Sequence, residues 1–323
     1  MAREDIFKVL QSDINNANID EKTKNTMLRN IAKLREQKIN IMITGSTGCG
    51  KSSTINALFD IDIAKVGQGV DPETQYIPEY ELDNLVLWDS PGLGDGKEQD
   101  IAHSKAIISK LNELDSDGKP LIDLILVILD AGTRDYGTSF ELINEVIIPT
   151  VGERAKDRVL VALNQADIAM KGRGWNHIEN RPEPELEKFL NEKVASVKRR
   201  IKESTGVDIE PIFYSAGYKD GDAKQNPYNL SKLLYFIVSH TPSEKRVIYA
   251  NNVSSDSSMW KSNDTLRDYN ADIQKSIFAS VVDGARKGAD IGREIGSMFG
   301  DVGKAVGSLI GGAIGALTGL FGL

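Results

Sequence analysis

The chain has 323 residues, 40% of them hydrophobic, and carries a formal net charge of −8 at pH 7. This composition permits a packed core and excludes global disorder, and the length suits one large α/β domain with a smaller second region. The acidic balance argues against a general nucleic-acid binder, because no basic stripe is available to displace phosphate counterions. With one cysteine and no visible signal peptide, a cytoplasmic protein is expected.

The first 37 residues predict two short amphipathic helices. Apolar residues recur at helical spacing on both sides of a break near residues 15–20: Ile6, Leu10 and Ile14, then Met27, Ile31 and Leu34. These helices precede the first predicted strand, residues 39–44.

A glycine-rich loop follows that strand and precedes a helical run over residues 53–59. It matches the pattern G-x-x-x-x-G-K-[S/T], whose backbone N–H groups hold phosphate oxygens at a helix N-terminus. We expect a nucleoside triphosphate here, with Lys51 reaching its β- and γ-phosphates and Ser52 completing a Mg²⁺ shell. The predicted phosphate-binding residues are Gly45, Ser46, Thr47, Gly48, Cys49, Gly50, Lys51, Ser52 and Ser53. Cys49 is interpreted mainly as a small filler, although the helix N-terminus could lower its pKa and permit redox control.

The segment after the first helix has the composition of a mobile loop. Residues 66–74 contain two glycines and a proline. Thr74 is the candidate for the hydroxyl and carbonyl that close over Mg²⁺, and an exposed loop threonine is the alternative.

An aspartate and a glycine follow the next predicted strand, residues 85–88. Asp89 can hold Mg²⁺ through a water, and the Gly92 N–H can sense a γ-phosphate. This pattern is weak alone, because turns often have it, but its place one strand after the phosphate loop strengthens it. The three glycines in residues 92–96 permit an order–disorder change. The catalytic candidates are Lys51, Thr74 and Gly92, and the metal candidates are Ser52, Thr74 and Asp89.

Two further polar motifs follow the predicted strands at residues 158–163 and 211–214. They are Asn164-Gln165-Ala166-Asp167 and Ser215-Ala216-Gly217. Both lie at the carboxyl end of a strand, where open α/β sheets bind ligands. An apolar run over residues 121–129 indicates a central strand, so we predict a doubly wound, mostly parallel α/β sheet.

The order of these motifs resembles the GTPases of the Era/TrmE-like group. The phosphate loop and residues 55–58, Ile-Asn-Ala-Leu, look closest to immunity-related GTPases and their bacterial relatives. The resemblance implies GTP or GDP and Mg²⁺ as cofactors. It implies that Asp167 accepts from guanine N1 and N2, that Asn164 braces the loop and that the Ala216 N–H meets guanine O6. Gln165 and Ser215 complete the predicted nucleotide-binding set.

Two positions depart from the family pattern. Gln165 stands where relatives usually have a lysine that packs over the sugar and base, so weaker nucleotide affinity is expected. Leu93 stands where signalling GTPases have a glutamine that orients the attacking water. Slow intrinsic hydrolysis is therefore expected, with help from a second subunit, a backbone group or Asp95.

The domain assignment is residues 1–37 for N-terminal helices, 38–242 for a GTP-binding domain and 243–323 for a C-terminal helical region. In immunity-related GTPases, leading and C-terminal helices pack into one helical domain. A polar segment, residues 251–258, is predicted as the linker to this region. Between residues 170 and 185, Trp175 among basic groups is either a clamp for nucleotide or a second subunit, or the anchor of a packed surface loop.

Glycines recur along the C-terminal tail at intervals of four, with one step of three, from Gly284 to Gly319. Such a stripe lets helices approach closely, and residues 305–323 carry no charge. Membrane insertion and packing against Ile6, Leu10 and Leu34 are both open.

The sequence thus predicts a GTPase that acts as a slowly hydrolysing molecular switch. Its expected partners are guanine nucleotide, a second copy of the chain through the GTP-binding domain or the tail, and a membrane surface; nucleic acid is not expected. The alternatives are a GTP-gated assembly or membrane-remodelling module with incidental hydrolysis, and a ribosome- or RNA-associated GTPase.

Overall fold

The computed structural model describes residues 5–59, 77–94, 96–220 and 223–286. Thr74, Asp95 and the tail beyond residue 286 lie outside the described residues. Within those residues, no helix has the length and apolarity needed to cross a bilayer.

A six-stranded sheet forms the centre of the molecule, with strand order β2-β3-β1-β4-β5-β8. Its strands are β1 (Ile39–Thr44), β2 (Glu79–Leu82), β3 (Leu85–Asp89), β4 (Leu124–Asp130), β5 (Val159–Asn164) and β8 (Ile212–Phe213). All neighbouring strands are parallel except β2, which pairs antiparallel with β3. Two short hairpins lie outside this sheet: β6 (Trp175–Asn176) with β7 (Arg181–Pro182), and β9 (Tyr218–Asp220) with β10 (Ala223–Gln225).

Helices cover both faces of this sheet. They are α1 (Ile6–Asn16), α2 (Glu21–Glu36), α3 (Lys51–Phe59), α4 (Lys97–Leu111), α5 (Gly137–Glu141), α6 (Ile148–Val151), α7 (Ala155–Arg158), α8 (Pro184–Thr205), α9 (Leu230–His240), α10 (Tyr249–Asn252) and α11 (Tyr269–Arg286). Successive residues of β1 enter opposite cores, because side chains alternate along a strand: Ile41 packs on the side of α3 and α9, and Met42 on the side of α4 and α8. The predicted doubly wound sheet is confirmed.

Several predicted boundaries shift for local reasons. The run predicted over residues 121–129 becomes a strand only at Leu124, and the preceding Asp123 pairs with Lys245 at 2.7 Å. The helix predicted over residues 139–148 is divided, since a π-helical turn, Leu142–Ile147, separates α5 from α6.

The terminal helices pack together on one face of the sheet. The predicted pair α1 and α2 begins after aspartate N-caps, with Asp5 accepting from Phe7 N and Asp20 from Thr23 N, both at 2.9 Å. Helix α11 from the other terminus contacts α2. Gly284 is buried there, and any Cβ at this position would overlap Leu34, so the first glycine of the tail stripe permits close helix packing within the chain.

The segment predicted as a polar linker, residues 251–258, is partly buried, so the prediction of a separating linker is wrong for these residues. Ser254 has no exposed surface, and its N–H donates to Leu58 O of α3 at 2.6 Å. The Ser254 carbonyl in turn accepts from Trp260 Nε1 at 3.0 Å. Serine and asparagine are polar enough to resemble a linker, yet here they satisfy buried backbone groups. The domain boundaries at 37/38 and 242/243 stay a prediction.

Candidate nucleotide-binding site

The phosphate loop joins the end of β1 to the start of α3. Gly48 and Gly50 have φ values of +81° and +89°, which side chains rarely adopt. A Cβ on Gly50 would overlap the amide of Asn164, so the loop lies directly against the motif that follows β5. Because α3 begins at Lys51, the next residues Ser52 and Ser53 lie in its exposed first turn. The predicted phosphate-binding residues are therefore brought together at one helix N-terminus.

Lys51 folds over the loop that it belongs to. Its Nζ donates to the carbonyl of Gly45 at 2.7 Å. The loop is also held from below, since Thr54 Oγ1 donates to Gly50 O at 2.8 Å and lies 2.6 Å from the hydroxyl of Tyr214. Complete burial raises the pKa of Tyr214, so it remains a neutral hydrogen-bonding group. Sequence reasoning missed this pair, although Tyr214 immediately precedes the Ser215 motif.

Asp89 lies at the end of β3 with a carboxylate oxygen that is buried and has no hydrogen-bond partner. Burial raises the pKa of this carboxyl group, and the charge of Lys51 opposes the rise. An unpaired buried carboxylate is costly unless a cation or a donor reaches it. This orphaned oxygen and the exposed Ser52 hydroxyl fit the predicted Mg²⁺, which is held by oxygen ligands and substrate phosphates.

Gly92 lies against the phosphate loop. A Cβ on Gly92 would overlap the carbonyl of Gly45, so only glycine permits this approach. The Gly92 carbonyl lies 3.1 Å from His103 Nδ1 of α4, which ties the segment to the following helix. Leu93 packs partly buried against the α4 side of the core, where it cannot hydrogen-bond a water.

Asn164 connects three segments of the site and is only 2% exposed. Its Nδ2 donates to Cys49 O at 3.0 Å, and its Oδ1 accepts from the Ala216 N–H at 2.9 Å. Asn164 thus joins the phosphate loop to the Ser215 motif, and its bracing role during nucleotide binding stays a prediction. The Ala216 N–H, which the resemblance assigns to guanine O6, donates here to Asn164.

Asp167 is 8% exposed, and a neighbouring serine fixes its carboxylate. The Ser215 hydroxyl donates to Asp167 Oδ1 at 2.7 Å and accepts from the Gly217 N–H at 3.2 Å. This arrangement orients the carboxylate after the end of β5, and a carboxylate has enough acceptor sites for Asp167 to accept from a ligand as well.

Gln165 makes a contact that the sequence did not reveal. Its backbone has a left-handed φ of +62°, and its Nε2 donates to the carbonyl of Gly48 at 2.9 Å. The residue that replaces the family lysine therefore bridges the base-side motif and the phosphate loop.

The structure also bears on the sequence hypotheses for Cys49 and Trp175. Cys49 is 1% exposed and burial raises the pKa of its thiol, so the lowered pKa and redox control considered for it are not supported. Trp175 is 5% exposed and its ring meets that of Tyr228 edge to face at 5.5 Å, as expected for the anchor of a packed loop rather than a clamp.

Comparisons with known proteins agree with this geometry. Residues 40–165 match a protein-family model described as a 50S ribosome-binding GTPase. A stretch of 157 residues is 29% identical to the uncharacterized protein YkfA of Escherichia coli (strain K12), covering 47% of this chain and 50% of that protein. A stretch of 70 residues is 43% identical to the immunity-related GTPase family M protein of Rattus norvegicus, covering 20% of this chain and 17% of that protein. This chain thus spans half or less of these curated relatives.

Among solved structures, the Mg²⁺ and GMPPNP complex of Toc33 from Arabidopsis thaliana is 16% identical, covers 67% of this chain and 85% of that chain, and has a TM-score of 0.38.

The fold and the motifs at its strand ends define the P-loop class of nucleotide-binding proteins. Residues 40–165 also match the GTPase model, so this part of the chain is similar to a P-loop GTPase domain. The predicted cofactors, GTP or GDP with Mg²⁺, fit a domain of this class. The similarity to an immunity-related GTPase is supported over 70 residues, while membership of the Era/TrmE-like group stays a prediction.

Proposed function

We propose that this protein is a molecular switch that binds GTP and hydrolyses it slowly to GDP and phosphate. The observation that carries the proposal is the contact between Gly92 and Gly45, which places the segment after β3 against the phosphate loop. A γ-phosphate bound in that loop would touch this segment, and its loss on hydrolysis would release it.

Guanine selection is assigned to Asp167. The carboxylate is held by Ser215 and offers acceptors that suit the guanine N1 and N2 donors. Adenine has no such donor pair, and a buried acceptor left without a partner is costly.

Residues of the phosphate loop and β3 are proposed to hold the metal. Ser52 and Asp89 supply oxygen ligands, directly or through water, and bound Mg²⁺ would neutralise charge on the β- and γ-phosphates. Lys51 lies beside the same carboxylate and adds a fixed positive charge.

Slow turnover follows from Leu93, which packs on the core and cannot orient an attacking water. A group supplied in trans is worth about 10³–10⁵-fold in activated GTPases, so self-association is the proposed stimulus. The test is GTP turnover per molecule against protein concentration. A rise with concentration supports activation by self-association, and a constant specific activity contradicts it.

Membrane contact through the tail is a separate part of the proposal, and residues 287–323 lie outside the described residues. We expect liposomes to raise turnover, and Gly311→Leu with Gly315→Leu to remove that effect without changing nucleotide affinity, since bulky side chains block close helix packing. Equal liposome effects on both proteins would contradict tail-mediated contact.

The matched family model is described as a 50S ribosome-binding GTPase, so a ribosome-associated GTPase is the second candidate. The net charge of −8 argues against a ribosome-associated role, because binding to RNA phosphates requires a basic surface. Co-sedimentation with 50S subunits in the GTP-bound state would favour this candidate over the membrane switch.

A further inference from the structure

A cavity of about 400 Å³ lies between the phosphate-loop helix and the segment that follows the Ser215 motif. Its lining includes Ser53 and Asn56 of α3, Ala216 and the hairpin residue Gln225. The hairpin β9–β10 lies close to the motif. The approach is so close that a Cβ on Gly217 would overlap the carbonyl of Gln225. Residues of the hairpin and of the motif therefore line the same cavity.

Gln225 is the unusual member of this lining. Its side chain is 9% exposed, and its Nε2 is buried with no hydrogen-bond partner. Buried polar groups are nearly always paired, because a buried donor left unpaired loses the hydrogen bond that it would make with water. Because Gln225 lines this cavity, its unpaired amide nitrogen is a candidate donor for a ligand acceptor.

The position of the cavity indicates which part of a ligand would meet that donor. Ser53 lies in the first turn of α3, at the phosphate end of the site, and Ala216 lies in the motif at the base end. In a guanine nucleotide, the ribose is the group that joins the phosphates to the base. A cavity lined by residues from both ends therefore borders the ribose.

We infer that Gln225 is a specificity residue whose Nε2 donates to a ribose hydroxyl oxygen of the bound guanine nucleotide. This inference rests on the proposed function, because it places the ligand in the same site. It adds a contact from the β9–β10 hairpin, which lies outside the four sequence motifs. It also predicts that the protein distinguishes ribose from a sugar without hydroxyl groups.

The test compares calorimetric binding of GDP and 2′,3′-dideoxy-GDP, with Mg²⁺, to the full chain and to Gln225→Leu. One neutral hydrogen bond is worth about fivefold in affinity, so the wild type should prefer GDP by about that factor. Gln225→Leu should bind both nucleotides equally, at the weaker affinity. Gln225→Met is the second variant should leucine not fit, and Gln11→Leu on α1, outside the cavity lining, is the matched control.

Thermal unfolding separates this role from a structural one. Removing an unpaired buried donor should leave the melting temperature of the ligand-free variant unchanged or higher, while the stabilisation by GDP becomes smaller. Retained preference for GDP in Gln225→Leu, or an equal loss for both nucleotides with a less stable free protein, overturns the inference. Absence of any guanine-nucleotide binding to the wild type would instead overturn the proposed function.

Discussion

The phosphate half and the base half of the site differ in how completely their polar groups are paired. At the base half, hydrogen bonds join the polar side chains to neighbouring segments. Asn164 bonds the phosphate loop and the Ser215 motif, and Ser215 bonds Asp167. At the phosphate half, a carboxylate oxygen of Asp89 is buried without a partner. The comparison teaches that the protein builds one half of the site in advance and leaves the other to be completed by phosphate and metal.

The largest effect is expected where the ligand completes the site. Lys51→Ala should weaken GTP binding about 100-fold or more, because its ammonium faces the charge of the β- and γ-phosphates. The fold should survive, since the hydrogen bond that the Nζ makes among the described residues goes to a loop carbonyl. Titration of GTP measures the effect, and the exposed Lys33→Ala is the control. Normal binding by Lys51→Ala would show that this loop does not hold phosphate.

A change of specificity is the next largest expectation, and it tests the preformed half. Asp167→Asn should lower the preference for guanine about 100-fold and admit xanthine nucleotides, because an amide matches the N1–H and O2 edge of xanthine. Competition between GDP, XDP and ADP measures it. Equal affinity of the wild type for GDP and ADP would contradict the assignment of Asp167.

Breaking the connection between the halves should cost stability as well as affinity. Asn164→Ala leaves the Cys49 carbonyl and the Ala216 N–H without their partner, which should destabilise folding by about 2–3 kcal/mol. Denaturant unfolding measures this, with the exposed Asn16→Ala as control. A loss below that of the control would show that the network carries no stability.

The smallest effect has the opposite sign. Asp89→Asn should stabilise the ligand-free protein by about 1 kcal/mol at neutral pH, because it removes the charge from a group whose buried carboxylate oxygen has no hydrogen-bond partner. The same variant should weaken Mg²⁺-dependent binding of GTP. Thermal unfolding with and without Mg²⁺ and GTP checks both, and the exposed Asp117→Asn is the control. If ligand-free Asp89→Asn is less stable than the wild type, the carboxylate oxygen of Asp89 is not unpaired as described.

The pH dependence sharpens this prediction. Burial raises the pKa of Asp89 above its unfolded value, so folding favours the protonated form. The stability from this group is complete below the unfolded pKa and is lost as pH rises through the folded pKa. Unfolding free energies measured across the acidic range should show this loss in the wild type and not in Asp89→Asn.

The sequence was sufficient for the five parallel strands of the sheet and for the positions of the motifs, because apolar runs and glycines are local signals, but it did not reveal the antiparallel edge strand β2. It was insufficient for contacts between distant segments. Gln165 with Gly48, and Thr54 with Tyr214, depend on how strands pack and have no local signature. The partly buried segment around Ser254 was mistaken for a linker for the same reason, since polarity alone does not show that a serine lies inside.

The packing of Gly284 against Leu34 has a consequence for synthesis of the chain. The core on this face needs Ile6 and Leu10 from one terminus and Ile277 and Val281 from the other. During vectorial translation, the strands β1, β4 and β5 are made long before α11 can cover them. Such non-local closure is slow and leaves apolar surface exposed in the meantime, so the nascent chain should depend on chaperones until residues near 284 have emerged.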